Sequence, residues 1–409
     1  MRQLFATVLP EGPAWSTGPR GVDREILGPK AVVQPGKDPR PLFALIVGGG
    51  PAGSTCAWAL RKAGWQVTVA DRATFPRDKV CAGWLTPAVF DLLELDPDDY
   101  RRTGLTLQEV TAFRTGTMRH RLVDTNYGRV VSYAIRRCEF DAFLLQRSGA
   151  KVLENTPVTT IRRADGQWIV NDSIATRMLI GAGGFFCPVA RHLRGTREVS
   201  KPVVAKEAEF PIDPNTEATG LAGPELFFCD DLDGYAWCVR KGRYLNVGIG
   251  RRSNDDFANH VKQFGEFLEA SGRVTDAAKL KWHGHAYFAS GAGVRPLVDE
   301  GVLVIGDAAG LAYPESGEGI RPAIESGLIA ARTLIAAGGR VDRDALEPYA
   351  AEIRRRHPEA PAAGRFRAAT AAIGGLLLRS PMFTRHVVLD RWFLRTTSDA
   401  ITSGTSREH

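Results

Sequence analysis

The chain has 409 residues, of which 44% are hydrophobic, 24% charged and 9% aromatic, the balance of a folded globular protein and not of a disordered, collagenous or coiled-coil one. Its net charge of +7 sits at the ends: residues 1–41 hold six Lys/Arg against four acids, residues 340–409 hold twelve Arg against eight acids, and the stretch between holds 35 basic and 34 acidic residues. A near-neutral body without a clustered basic face argues against a nucleic-acid partner, and no stretch reaches the 18 apolar residues of a bilayer span, Ala368–Leu378 being the longest candidate.

Residues 1–41 are rich in Pro and Gly and lack a hydrophobic period, which predicts an extended or disordered leader whose apolar opening is too short for a signal-peptide core. Leu42–Val47 is an apolar run that suits a buried parallel strand. Gly48-Gly49-Gly50-Pro51-Ala52-Gly53 follows, then a helix over Ser54–Lys62, a stop at Gly64 and a second strand over Gln66–Ala70, with Asp71 at its end. This is a βαβ unit with GxGxxG in its first turn. Gly48 permits the tight turn, Gly50 lets the backbone approach a pyrophosphate, and Gly53 lets the helix pack on the strand. The helix N-terminus offers free N–H groups to phosphates, and Pro51 and Ala52 of the turn before it are cofactor-binding candidates. A carboxylate at Asp71 accepts hydrogen bonds from an adenosine ribose and repels a 2′-phosphate, so the turn predicts FAD or NAD before NADP.

Six cysteines (Cys56, Cys81, Cys138, Cys187, Cys229, Cys238) form no CxxC pair and no disulfide spacing, as expected of reduced thiols in a cytoplasmic protein. Lys281–Phe288 alternates so that His283, His285 and Tyr287 share a face; with no third ligand apparent, no metal site is expected. Gly301–Ile305 is another buried-strand pattern, followed by Gly306-Asp307-Ala308-Ala309-Gly310, Pro314 and Gly317-Glu318-Gly319-Ile320, which opens a helix to about Ala337. From Glu347 onward the chain is Arg-rich and helical in three pieces, Ala350–Arg356, Arg365–Leu378 and Phe383–Arg395, broken at Pro358, Pro361 and Pro381. These helices either pack across the body with snorkelling arginines or form a lid that also touches an anionic membrane surface.

GDAAG…P…GEGI resembles the second FAD fingerprint of the para-hydroxybenzoate hydroxylase-like flavoproteins and, within them, of the geranylgeranyl reductase family. The resemblance extends to Phe75–Gly83 (FPRDKVCAG), to Arg137–Asp141 (RCEFD) and to Gly234–Trp237 with Asn246–Gly250 (GYAW, NVGIG), and so covers about 42–340. It implies that Asp307 binds the ribityl chain of FAD, that Gly306, Gly317, Gly319 and Ile320 aim a helix N-terminus at the flavin pyrimidine, and that Arg137 and Arg72 lie close to the cofactor. Tyr235, Trp237 and Cys81 would face the substrate. With one dinucleotide turn, either NAD(P)H visits as a transient electron donor or another donor reduces the flavin.

The sequence departs from the pattern at Gly181–Leu193. Relatives read GADGxxSxVRxxL there; this chain has Gly183 for the Asp, Cys187 for the Ser and Ala190 for the first Arg, which puts orthodox nicotinamide use in question. Val239-Arg240 stands where the reductases have Phe-Pro.

The expected fold is α/β: a discontinuous Rossmann-like FAD-binding domain (42–95, 134–198 and 288–345), an inserted, mostly antiparallel substrate sheet (96–133 and 199–287) and C-terminal helices (346–409). The expected function is FAD-dependent reduction of a C=C bond in a lipophilic, isoprenoid-like substrate. The alternatives are a flavin monooxygenase acting on an aromatic or polyketide-like molecule, and an FAD-containing lipid carrier without turnover. A flavin halogenase is disfavoured, because no WxWxIP segment occurs.

Overall fold

The computed structural model describes residues 43–196, 201–212, 223–291, 295–358 and 374–395. The expected leader and most of the helix expected over Arg365–Leu378 lie outside these residues.

The first apolar run becomes the centre of a six-stranded sheet. Its strands lie in the order Val298–Asp299, Val302–Val304, Met178–Gly181, Phe43–Val47, Gln66–Ala70 and Lys151–Leu153, all neighbours parallel except the first pair. Burial on both faces explains why FALIV and MLIG carry no polar alternation. The helix Pro51–Lys62 returns over the sheet and packs against the helix Ile320–Ala336. Small residues make this approach close: a Cβ on Gly327 would sit 2.6 Å from the Ala52 carbonyl oxygen. A three-stranded antiparallel layer, Ile161–Ala164, Gln167–Val170 and Ile174–Thr176, lies beside this unit.

A seven-stranded sheet forms the second half. Its order is His283–Tyr287, Val203–Pro211, Tyr244–Arg251, Gly234–Lys241, Glu225–Phe228, Ala112–Thr117 and Val123–Asn126. All pairs are antiparallel except Glu225–Phe228 with Ala112–Thr117. A second three-stranded sheet pairs Ser132–Ile135 with both Trp84–Leu85 and Leu107–Val110, so its ladders run across the expected limits at 95/96 and 133/134. The fold is thus the mixed α/β arrangement expected, with a mostly antiparallel second sheet and C-terminal helices.

Of the C-terminal pieces, the last departs from α geometry. Arg343–Arg356 is an α-helix capped by the Asp342 side chain, beginning earlier than the expected Ala350. Thr384–Phe393 is a π-helix, closed by the Leu394 N–H on the Leu389 carbonyl at 2.7 Å. Its inner side, Val388, Leu389 and Phe393, joins a core cluster with Trp84, Phe113 and Trp237. The Phe393 ring lies 5.4 Å from both Trp84 and Tyr235. The last segment is therefore bound into the second sheet.

Phe393→Ala should lower the free energy of unfolding by about 3–5 kcal/mol in a denaturant titration. Leu376→Ala, on the exposed side of the same segment, should stay within about 0.5 kcal/mol.

Candidate active site

The glycine turn is fixed by contacts that admit no side chain. Gly48 has φ of +115°, its N–H donates to the Ala70 carbonyl at 2.8 Å, and a Cβ on it would run into the Ala182 carbonyl. A Cβ on Gly53 would run into the Gly48 carbonyl. At Gly50 the only neighbour among the described residues within 4 Å of an added Cβ is Arg77 Nη2, at 3.3 Å. Gly48 and Gly53 are thus required by the protein's own packing, whereas Gly50 borders a cavity and caps the helix Pro51–Lys62 without a side-chain cap bond. That is the geometry of a phosphate cradle, with Pro51 and Ala52 also on the cavity wall.

Asp71 is placed differently from a free ribose ligand. Its Oδ2 accepts the Gly49 N–H at 2.7 Å and its Oδ1 accepts the Ala73 N–H at 2.9 Å, so the carboxylate ties the end of one strand to the turn of another. It lines the cavity beside exposed Arg72, and a ribose would share oxygens already engaged. Arg137 makes a bidentate ion pair with Asp141, at 2.8 and 2.9 Å, which Arg77 joins at 3.3 Å.

At the other end of the turn region, the Gly306 N–H donates to Ser326 Oγ at 2.9 Å, and a Cβ on Gly319 would meet Asp307 Oδ1 at 3.1 Å. Gly317 has φ of +68° and lies against the Tyr287 hydroxyl. Gly319 caps the helix that opens at buried Ile320, again without a side-chain cap bond, so a second helix N-terminus faces the cavity. Lys79 Nζ is 2.6 Å from His285 Nε2, and His285 Nε2 is 3.8 Å from Asp307 Oδ2. Burial draws Lys79 down to about 8 against the pull of Asp307, with Arg137 adding to the fall. Burial also lowers His285, opposed by Asp307. Burial would raise Asp307, but His285 and Lys79 beside it leave it below its ordinary value.

Glu318 is the least satisfied group of the site. Neither carboxyl oxygen has a full hydrogen-bond partner, the Arg321 backbone N–H making only a weak approach, and burial raises the group to about 7.

These residues share one cavity of about 1070 Å³ with the second sheet. That exceeds the roughly 300–1,000 Å³ of ordinary small-molecule sites. Its far wall is aromatic and aliphatic: Tyr235, Trp237, Phe228, Leu378, Phe383 and Trp392. The Tyr235 hydroxyl donates to the Ser316 carbonyl and the Trp237 indole N–H donates to Asn246 Oδ1 at 2.7 Å, so both polar tips are engaged by the protein. Half-buried Cys81 lines the cavity between the two ends, its Sγ accepting the Gly83 N–H at 3.3 Å.

The departures at Gly181–Leu193 touch one another. A Cβ on Gly183 would meet the Cys187 Cα at 3.2 Å and its Sγ at 3.4 Å, and buried Cys187, raised by desolvation, is off the cavity wall while Cys81 is on it. Phe186, 61% exposed, lies on the rim, whereas Ala190 packs on the core of the first sheet. Val239, which replaces the relatives' Phe, is buried.

The sequence-predicted residues Gly48, Gly50, Pro51, Ala52, Asp71, Arg72, Arg137, Asp307, Gly317, Gly319, Ile320, Cys81, Tyr235 and Trp237 all border this cavity; Gly53 and Gly306 support it from behind. Sequence reasoning missed Lys79, Glu318 and Glu207 as site groups. Lys79 and Glu318 lay inside recognised motifs, and a charged residue amid glycines and apolar residues was their signal. Glu207 gave none.

Replacing Glu318 tests its environment. A carboxyl raised in the fold from 4.5 to about 7 contributes stability that is present below about 4.5 and lost as pH rises through 7. The stability of the apoprotein Glu318→Gln variant relative to the parent should therefore rise by a few kcal/mol between pH 4.5 and 7.5, read by denaturant titration at each pH.

Comparison with known proteins accords with this geometry. Residues 42–363 match the FAD binding domain family. An uncharacterised protein of Methanosarcina barkeri is 30% identical over 74% of this chain and 77% of its own length. The digeranylgeranylglycerophospholipid reductase of Methanocaldococcus jannaschii is 26% identical over 65% of this chain and 70% of its own. The geranylgeranyl diphosphate reductase of Rhodobacter capsulatus is 29% identical over 52% of this chain and 55% of its own, so the chain matches only about half of that relative's length. The crystal structure of a geranylgeranyl bacteriochlorophyll reductase-like protein from Thermoplasma acidophilum shares the fold, with a TM-score of 0.64 at 21% identity, covering 83% of this chain and 88% of that one. The chain belongs to the FAD binding domain family and is an FAD-dependent oxidoreductase, similar to proteins named as geranylgeranyl reductases.

Proposed function

We propose that this protein reduces a C=C bond of a lipophilic, isoprenoid-like substrate. One observation carries the reading: the cavity that begins at the glycine turn ends on a wall whose aromatic residues have their polar tips bound inside the protein. Such a wall gives a ligand ring faces and aliphatic surface, and little to hydrogen-bond with. The names of the reductase relatives point the same way.

In this reading Gly48, Gly50, Pro51 and Ala52, backed by Gly53, would cradle the pyrophosphate, Asp71 and Arg72 would border the adenosine, and Asp307, backed by Gly306, would take the ribityl chain. The helix N-terminus at Gly317, Gly319 and Ile320 meets the pyrimidine edge with its positive end. Arg137, neutralised by Asp141, shapes the same wall. Bound FAD supplies a hydride from its reduced ring. The chain's residues would do the rest: Tyr235 and Trp237 orient an apolar chain and exclude water, and Cys81, on the same cavity wall, gives its thiol proton to the second carbon. Lys79, with a pKa of about 8, holds a positive charge beside Asp307 at neutral pH. A reduced nicotinamide, visiting transiently, is the electron donor tested first. The named reductase relatives leave the non-catalytic carrier without support.

The experiment is an anaerobic single turnover. FAD-loaded protein, reduced with dithionite, NADPH or NADH, is mixed with an unsaturated prenyl lipid. Reoxidation of the flavin with a product two mass units heavier supports reduction. Flavin that stays reduced until oxygen is admitted, with oxygen then incorporated into an aromatic substrate, supports the monooxygenase reading and overturns this one.

The substrate's chemistry extends to the surface. Three of the four large apolar residues exposed among the described residues, Leu376 (66%), Leu377 (40%) and Met382 (72%), lie on the segment that contributes Leu378 and Phe383 to the cavity. Arg379, Arg385 and Arg391 are exposed on the same segment. No helix among the described residues is long and apolar enough to cross a membrane, and this edge suits peripheral contact with an anionic bilayer. The protein should cosediment with phosphatidylglycerol-containing vesicles, and Leu376→Glu/Met382→Glu should weaken that binding about tenfold or more. Equal binding by the variant would remove the edge from the account.

A further inference from the structure

On the cavity wall and behind it lies a set of largely buried polar side chains that the reaction above does not use. Glu207 and Glu209 are two apart on the strand Val203–Pro211 and so share a face. Glu207 Oε2 accepts the Cys81 N–H at 2.6 Å and the Asn246 side-chain N–H at 3.2 Å. Asn246 Oδ1 in turn accepts the Trp237 indole N–H at 2.7 Å. Lys241, fully buried, donates to Glu209 Oε2 at 2.8 Å and to the Cys81 carbonyl at 3.2 Å. Arg136 holds the other oxygen of Glu209 at 2.9 Å. A Cβ on Gly83 would sit 2.6 Å from Lys241 Nζ, so the glycine leaves room for the ammonium.

Burying charged groups costs several kcal/mol each unless every one is paired. An apolar core would hold this sheet at least as well. What the network does that apolar packing could not is grip one peptide. Cys81 is held at its N–H by Glu207 and at its C=O by Lys241, and both contacts reach it from the second sheet. The same Glu207 oxygen leads through Asn246 to Trp237.

We propose that Glu207 and Lys241 are positioning residues that fix the Cys81 peptide at both ends, and that Asn246 couples the same carboxylate to Trp237, setting thiol and indole relative to each other. The proposal deepens the reading that Cys81 and Trp237 face the substrate. The Cys81 backbone is thus gripped by the sheet that carries the apolar wall, while the Gly83 N–H of its own loop meets the Sγ at 3.3 Å.

The test is the rate of Cys81 alkylation by iodoacetamide in the FAD-loaded protein, followed by peptide mass spectrometry across pH 6–9. Glu207→Ala should raise the rate about tenfold or more, and Glu207→Gln, whose amide oxygen can still accept the Cys81 N–H, should restore it to within about threefold of the parent. An unchanged rate in Glu207→Ala, or a Gln variant as reactive as Ala, overturns the proposal. If Glu207→Ala does not accumulate with FAD, Asn246→Ala decides: a rise of about threefold or more supports the coupling and an unchanged rate overturns it. Cys81→Ser separates the two claims. Full turnover by that variant, alongside a Glu207 effect on alkylation measured in protein that retains Cys81, removes Cys81 from the chemistry but leaves its positioning standing.

Discussion

The close approach of backbone to backbone at Gly48 and Gly53 is the constraint on which the rest of the site depends. The Gly48 carbonyl is pressed against Gly53, and Gly48 itself lies against the Ala182 carbonyl, so three neighbouring strands and one helix meet with no side chain between them. Asp71 closes this junction by accepting N–H groups from both sides of it. The result brings the free N-terminus of the helix Pro51–Lys62 to the cavity edge. The second helix N-terminus, at Ile320, is brought to the same cavity by the packing of Ile320–Ala336 on Pro51–Lys62. Two dipole ends and a carboxylate thus converge because glycine and alanine let two helices and a sheet close up.

The opposite half of the cavity obeys a different rule. There the wall is apolar on the inside and polar behind it: Tyr235 and Trp237 present rings, while Ser316 and Asn246 take up their hydrogen bonds and Glu207 in turn holds Asn246. Buried polar groups satisfied in this way fix the geometry more sharply than apolar contacts alone. The π-helix Thr384–Phe393 completes the wall, with Phe393 packed on Tyr235 and Trp84. The same chain segment carries the exposed Leu376 and Met382, which links the apolar interior to the apolar edge.

Much of the cofactor half was legible in the sequence, because its determinants are local. A strand, three glycines, a helix and an acid occupy thirty residues, and each glycine's role follows from the turn it must make. Asp307 and the glycines after it are equally local. The substrate half was legible only as aromatic strand residues, since what fixes them is remote: Glu207 and Cys81 are 126 residues apart, and Lys79 and His285 are 206 apart. No periodicity reports such pairs. Asp71 shows a subtler limit, for its position was readable but its backbone partners were not. At Gly183 and Cys187 two separate departures from the family pattern prove to be one packing arrangement. The π geometry of the last helix was hidden because its apolar spacing also fits an ordinary helix.

The account stands on one claim, that cofactor and substrate meet in the single cavity between the glycine turn and the aromatic wall. A crystal structure of the FAD-loaded protein tests it most directly. The account predicts the pyrophosphate against Gly48–Gly53, the ribityl chain at Asp307 and one face of the flavin ring open toward Tyr235 and Trp237. A flavin ring turned away from that wall, or a cavity divided by protein between ring and wall, would contradict it.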